Sequence, residues 1–272
     1  MQERATSAVI SPRQLVADVA AALLFSTRLP LPGTFAITGA DIARAGWALP
    51  VAGVIVGVIS ALVYWLARVS GLPPLPAGGL AIAASLAATG CLHEDGLADV
   101  ADSFGGRTRE RKLEIMRDSR VGTYGVCALF TSLLLRSAAL ASIADPGLAA
   151  PVLIAAHMGA RSNMAMFMRL VPLARQDGLS VGVGAPPAGS AITAMAIGIA
   201  ALGVGLGPAA GACAITLMAA VFALLRWLCM RQIGGQTGDV LGALEQIGEI
   251  VILLVAAAGV ETDGGALARN PA

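Results

Sequence analysis

The residues best suited to chemistry lie in one run, His93-Glu94-Asp95-Gly96-Leu97-Ala98-Asp99-Val100-Ala101-Asp102. Asp95, Asp99 and Asp102 are spaced i, i+4, i+7, which on a helix puts the other two within about 40° of Asp95 and all three on one face. Stacked carboxylates repel, and a helix gains nothing by collecting them unless a cation neutralises them. An all-oxygen set suits Mg²⁺ or Mn²⁺, ions that keep several waters and take further ligands from substrate phosphates. The plainer alternative is a solvated acidic turn, but Ala and Leu fill the gaps and the run abuts an apolar segment. Glu94 points off the shared face and is expected in solvent. His93 falls on the far side of the same helix, as a general base, a phosphate donor or a hydrogen-bonded helix end.

Two further stretches could meet an anion. Ser103-Phe104-Gly105-Gly106-Arg107 is followed by Ile115-Met116-Arg117-Asp118-Ser119-Arg120-Val121-Gly122-Thr123-Tyr124-Gly125. Glycines allow close backbone approach, and arginines supply fixed cationic donors. Retention of basic residues on one side of a membrane explains these arginines equally well. The second stretch, Gly234-Gly235-Gln236-Thr237-Gly238-Asp239, precedes an apolar run. A glycine turn at a helix N-terminus favours an anion, although Asp239 there could simply cap the helix. Beyond it come Glu245 and Glu249. A helix starting near Asp239 places Glu249 roughly 15 Å along its axis, near the middle of a bilayer, where carboxylates are costly and are paired or functional. His157 and Arg161, also i and i+4, are the expected structural partners, and Arg136 is another candidate for a buried charge. Carboxylates, glycine turns and arginines on a membrane surface point to phosphoryl or nucleotidyl-ester chemistry, which runs on positioning and charge neutralisation.

Such groups need a scaffold, and the composition says which kind. The chain has 272 residues, is 57% apolar and only 13% charged, about half the charge of an ordinary soluble domain. No ionisable acid or base falls between Asp177 and Arg226, a gap long enough for two bilayer-crossing helices. A soluble globular enzyme, a disordered chain and a secreted disulfide scaffold are excluded. A net charge of +1 and 4% aromatic residues offer neither the basic surface nor the stacking platform of a nucleic-acid binder. Cys91, Cys127, Cys213 and Cys229 form no CxxC pair and are read as inert thiols. The first residues lack the apolar core and cleavage site of a signal peptide, so none is expected.

Apolar runs predict an all-α, polytopic membrane bundle in one domain over residues 1–272. Seven spans are expected near 46–69, 78–92, 124–144, 148–168, 188–206, 209–226 and 240–260, the second of them short. Residues 14–27, interrupted by Asp18, are expected to form an interfacial or half-inserted helix. Leu72-Pro73-Pro74-Leu75-Pro76, Asp145-Pro146-Gly147 and Gly207-Pro208 mark joins, and abundant Ala and Gly predict close helix packing. Arg4, Arg13, Arg28 and Arg44 precede the first span, and further bases follow in 93–120, after the fourth span (Arg169, Arg175) and after the sixth (Arg226, Arg231). The alternate loops 70–77, 145–147 and 207–208 carry no Lys or Arg. Basic loops stay in the cytoplasm, so the N-terminus and the acidic 93–123 loop are expected there.

At these residues the chain resembles the cobalamin synthase family, the adenosylcobinamide-GDP ribazoletransferases. The resemblance runs through Phe25-Ser26-Thr27-Arg28-Leu29-Pro30, the HxDGxxDxxD run from His93 to Asp102, Ile115 to Gly122, Pro172-Leu173-Ala174-Arg175, and Gly235-Gln236-Thr237-Gly238-Asp239 with Glu245. It implies a bacterial inner-membrane enzyme requiring Mg²⁺, with Mn²⁺ as a substitute. Such an enzyme joins adenosylcobinamide-GDP to α-ribazole or its 5′-phosphate and releases GMP. It further implies that Asp95, Asp99 and Asp102 hold the metal against the diphosphate, and that Arg117, Arg120 and Arg175 bind phosphates. Asp239 in its turn with Gly235 and Thr237 would hold a second metal or the acceptor. His93 or one of the aspartates would deprotonate the attacking hydroxyl. Glu94 stands where the family often has an apolar residue, outside the catalytic set. The partners implied are the two substrates and membrane lipid, with no nucleic acid; a homo-oligomer is left open. Two rivals were weighed. A CDP-alcohol phosphotransferase needs DxxDGxxAR, but Leu92 stands where its first Asp belongs and no Ala-Arg pair follows Asp95-Gly96. A cation transporter using Glu245, Glu249, His157 and Arg161 would keep its acids at mid-bilayer, whereas most here lie at one surface.

Overall fold

The structure is a computed structural model that describes residues 11–31, 37–177 and 182–268. Those residues form helices, joined by short turns. α1 (Pro12–Ser26) starts at Ser11, whose hydroxyl accepts from Gln14 N–H, with Pro12 in the first turn where no amide donor is needed. α2 (Gly39–Arg44) opens on a reciprocal cap between Thr38 and Asp41 and runs through a single 3₁₀ turn, Ala45–Ala48, into α3 (Leu49–Val69). Asp18, the break in the N-terminal apolar run, is sealed inside. It accepts from Arg44 Nε at 3.0 Å, Trp47 Nε1 at 2.9 Å and Gln14 Nε2 at 2.8 Å, which fixes α1 to the start of α3.

α4 (Pro74–Thr89) and α5 (Leu92–Ser103) meet at a bend of 93°. Gly90 (φ +64°) and Cys91 (φ +58°) are both left-handed, and two such residues in succession turn the chain sharply. The Arg28 amide donates to Ala88 O at 2.8 Å, so the segment after α1 braces this bend. α6 (Arg109–Ile115) is short, and α7 (Thr123–Ile143), α8 (Pro146–Leu170), α9 (Ala188–Leu206), α10 (Pro208–Gln232) and α11 (Gly238–Ala268) complete the bundle.

Among the described residues, five helical stretches are each long and apolar enough to cross a membrane, and a sixth if α4 and α5 are one broken span. The chain is thus a polytopic helical bundle, but the expected seven spans are not reproduced one for one. The 78–92 run ends at the Gly90-Cys91 bend, which is why it reads as short. α8 has 25 residues, about 37 Å of helix, yet His157, Arg161, Ser162 and Asn163 in its second half keep it less apolar than the others. It is the central pillar, with α3, α9 and α11 packed on it. Gly53 and Gly57 of α3 lie directly against the α8 backbone at His157 and Ile154, where a Cβ would overlap. Small residues one turn apart permit this approach, since apolar burial alone does not drive helices together in lipid.

The apolar core is divided in two. One cluster gathers around Ala48, Leu49, Phe167, Ala191, Leu241 and Leu244, the other around Tyr64, Ile82, Leu140, Leu153, Leu202 and Ile252. Between them lies a polar layer of Arg136, His157, Arg161, Glu245 and Glu249, each 1% exposed or less. At the opposite end of α3 from the N-terminal bases, Arg68 is held on carbonyls, Leu72 O at 2.6 Å and Ala144 O at 3.3 Å.

Candidate active site

α5 presents the acidic run as a helix, with Asp95 exposed and Asp99 and Asp102 half-buried on one face. Its depth against α11 is set by backbone contact. Gly96 lies on the Asp239 backbone, where a Cβ would overlap, and Gly242 lies close on that of His93, where a Cβ would be crowded. This packing carries Asp239 to the acidic face, where Asp99 lies in the combined field of Asp95, Asp239 and Asp102, opposed by Arg175. Asp95, Asp99, Asp102, Asp239 and Arg175 therefore converge from three segments distant in sequence. Among the described residues the carboxylates of Asp95 and Asp99 have no hydrogen-bonded or ion-paired partner.

Asp102 is differently placed. Its two oxygens accept from Gly122 N–H at 2.6 Å and Gly125 N–H at 2.8 Å, at the start of α7. A carboxylate at a helix N-terminus satisfies orphan donors and faces the positive end of the dipole. Both glycines are required because a Cβ on either would run into the carboxylate. Each oxygen keeps a second lone pair, so the cap leaves room for another contact but already gives Asp102 a structural duty.

Arg175 approaches Asp239, with Nη2 to Oδ2 at 3.4 Å, and Asp177, with Nε to Oδ1 at 3.5 Å, while its buried Nη1 has no hydrogen-bond acceptor among the described residues. Buried donors of this kind require a partner. Thr237 Oγ1 donates to Asp239 Oδ2 at 3.0 Å and accepts from Val240 N–H at 3.4 Å, so this threonine both caps α11 and orients the aspartate. The glycine turn is stitched to the Arg175 segment: Gln236 N–H donates to Pro172 O at 2.8 Å and Ala174 N–H to Gln236 O at 2.9 Å. Gly235 lies against that segment's backbone.

The other two predicted phosphate ligands are already matched by acids. Arg117 Nη2 bonds both oxygens of Asp177 at 2.6 and 2.8 Å, and this holds the Asp177 carboxyl below the usual range. Arg120 grips Asp118 with Nη2 at 2.6 Å and lowers that carboxyl to about 2. Arg120 is 87% exposed and points outward.

The polar layer corrects one expectation, the exposure of Glu94, and fixes the direction in which His93 faces. Glu94 is 6% exposed, not in solvent. It lies about 100° round the helix from Asp95, toward the bundle, where Arg136 Nη2 reaches it at 3.2 Å while Nη1 reaches Glu249 at 3.2 Å. His93, also buried, faces Glu245 through Nδ1 at 3.7 Å and so turns away from the aspartates. The expected pairing of α8 with α11 is present: Arg161 bonds Glu245, and His157 Nδ1 lies 3.4 Å from Glu249. Among the described residues His157, Glu245 and Glu249 are the one trio whose ligand-type atoms come within 4.8 Å of one another. Both carboxylates already face guanidinium groups, so the trio is an ion-pair network needing no cation.

Comparison with known proteins decides the lineage. Residues 18–257 match the family described as cobalamin-5-phosphate synthase. The chain belongs to that family. Among its relatives, the adenosylcobinamide-GDP ribazoletransferase of Bradyrhizobium diazoefficiens is 55% identical over 247 residues, covering 90% of this chain and 95% of the relative. The enzyme of the same name from Mesorhizobium japonicum is 50% identical over 248 residues, 91% of this chain and 95% of its own length. That of Azorhizobium caulinodans is 44% identical over 253 residues, 89% and 95% of the two chains. No solved structure matches.

Within this family member, sequence reasoning singled out the acids and left their supports unseen. The duty of Gly122 and Gly125 toward Asp102 has no signal in a single sequence beyond two glycines at the start of an apolar helix. The same holds for Lys112, which is 8% exposed, donates to Ser103 O at 3.3 Å and lies 5.6 Å from the Phe104 ring centre. It fastens α6 to the end of α5, where a cation meets the negative end of the helix dipole.

Proposed function

We propose that this chain is an adenosylcobinamide-GDP ribazoletransferase of the bacterial inner membrane, with its site facing the cytoplasm. The observation that carries the reading is the meeting of Asp95, Asp99, Asp102 and Asp239 with Arg175 at one end of a membrane bundle, in a chain of this family. The basic loops fall on that same end, in keeping with cytoplasmic retention.

The donor set fits a hard divalent ion. The carboxylates of Asp95 and Asp99 have no protein partner among the described residues, and Arg175 Nη1 has no acceptor. Mg²⁺ takes one or two carboxylates and leaves its other positions to water and phosphate. In this proposal Asp95 and Asp99 would hold the ion, with Asp102 and Asp239 contributing through the waters it keeps. An ion bound there would supply charge neutralisation for the diphosphate. Arg175 would donate Nη1 to a phosphate oxygen, and the Gly235-to-Thr237 turn, whose Gly235 and Gln236 amides are bound to Cys229 O and Pro172 O, would hold Asp239 in place beside it. The attacking hydroxyl of α-ribazole forms a new O–P bond to the cobinamide-linked phosphorus. The bond from that phosphorus to the GMP oxygen breaks, and the hydroxyl proton passes to a base. An aspartate of the α5 face is the better placed acceptor, because His93 is turned into the bundle. The transporter alternative loses its footing, since Glu245 and Glu249 are matched by Arg161 and Arg136.

The test uses the purified full chain in lipid nanodiscs, with adenosylcobinamide-GDP, α-ribazole and Mg²⁺, following GMP release. Asp95→Asn and Asp99→Asn should each lower kcat on the order of 10³-fold, the effect of removing charge stabilisation from a phosphoryl site. EDTA should abolish turnover, and membrane insertion should be unchanged. Near-normal rates in both variants would overturn the metal assignment; absence of GMP release from the wild type would overturn the transferase reading.

A further inference from the structure

Arg109 opens α6 and was anticipated only as one of many bases in the 93–120 stretch. Its guanidinium is occupied by two backbone carbonyls from segments far apart in sequence. Nε donates to Ile233 O at 2.8 Å and Nη2 to Ala174 O at 2.8 Å. Ile233 is the residue before the glycine turn that leads to Asp239, and Ala174 is the residue before Arg175. Gly234 has φ +77°, and a Cβ there would come 3.3 Å from the Arg109 guanidinium carbon, so the turn is shaped around this side chain. Through α6 the arginine is also tied to the acidic helix, because Lys112 holds α6 to Ser103 at the end of α5.

We infer that Arg109 is a positioning residue for the transfer site, one that sets Arg175 and the Gly235–Asp239 turn in register with the α5 aspartates without touching substrate. Only a planar, forked donor can hold two carbonyls at fixed separation; an ammonium group carries the same charge but not the geometry. A direct phosphate ligand would behave differently, since lysine at its position would keep much of the anion's attraction. This inference rests on the proposed nucleotide site but does not need turnover to be observed.

The experiment compares Arg109→Lys, Arg109→Gln and Gly234→Ala with the wild type, as full-length protein in nanodiscs. The probe is a fluorescent GDP analogue in the presence of Mn²⁺, with thermal unfolding measured alongside. Loss of charge-assisted hydrogen bonds predicts about tenfold weaker GDP binding. The loss should be equal in the lysine and glutamine variants, with unfolding temperatures within a few degrees of wild type. Gly234→Ala, which crowds the guanidinium and leaves its charge in place, should weaken GDP in the same direction. In turnover assays KM for adenosylcobinamide-GDP should rise while KM for α-ribazole stays constant. Wild-type affinity in Arg109→Lys, with loss confined to Arg109→Gln, would overturn the inference in favour of a charge contact. Loss only in proportion to unfolded protein, with KM unchanged, would overturn it in favour of a purely structural role. GDP affinity that falls as expected in the variants, beside a wild type that releases no GMP, would sustain the inference and sink the transferase reading.

Discussion

Three aspartates that look equivalent in sequence have different jobs once folded, and their asparagine variants separate them. Asp95 and Asp99 lack partners and sit in one another's field, so removing either charge relieves repulsion in metal-free protein. Asp102 caps α7 through two N–H groups. An asparagine keeps one acceptor oxygen and turns an amide donor toward the other N–H. In metal-free nanodiscs Asp102→Asn should therefore lower stability by about 1–3 kcal/mol, whereas Asp95→Asn and Asp99→Asn should leave the unfolding temperature unchanged or raised. A destabilised Asp99→Asn beside an unaffected Asp102→Asn would show that these roles have been exchanged. At this scale the face itself was legible, because i, i+4, i+7 spacing needs only helix geometry. The cap was not, since its donors lie twenty and more residues further along the chain and nothing local to Asp102 announces them.

Elements are oriented by buried charge as much as by apolar packing. Arg136 of α7 bridges Glu94 of α5 and Glu249 of α11, so one guanidinium ties the acid-bearing helix to the helix that carries Asp239. Breaking a buried pair costs roughly 3–5 kcal/mol because the surviving charge has no partner. Arg136→Leu strands Glu94 and leaves Glu249 with His157 alone. Glu94→Leu strands none, since Arg136 keeps Glu249, and its cost should be at most about half as large. Thermal unfolding in nanodiscs checks the order, and equal losses would mean that Glu94 and Arg136 do not interact as described. Here sequence reasoning went astray for a physical reason. Helix periodicity correctly put Glu94 off the aspartate face, but what waits on its other side is a residue of another helix, and only the folded chain supplies it. The 93° bend was equally hidden: Gly90 is a plain helix stop, and nothing in Cys91 signals a second left-handed residue. The Glu245–Arg161 and Glu249–His157 pairs were foreseen, because carboxylates that deep in a bilayer demand partners and α8 had suitable ones at matching spacing.

Across the whole molecule, one polar layer and one polar end do separate work. The layer locks α5, α7, α8 and α11 together between two apolar clusters, and the end gathers Asp95, Asp99, Asp102 and Asp239 beside the basic loops. The proposed orientation follows from that asymmetry and can be tested apart from catalysis. Arg68 is the exception at the other end, and its contacts with Leu72 O and Ala144 O explain how a base is tolerated there, since a guanidinium held on carbonyls at helix termini is not free to pull its loop across. In a background with the native cysteines replaced, Arg107→Cys lies in the turn between α5 and α6 and Leu75→Cys, 53% exposed, at the start of α4. A membrane-impermeant maleimide should label Cys at 107 only in inverted vesicles and Cys at 75 only in intact spheroplasts. The reverse pattern would put the aspartate face outside the cell, away from cytoplasmic nucleotides, and with it would go the assignment of a nucleotide-linked substrate.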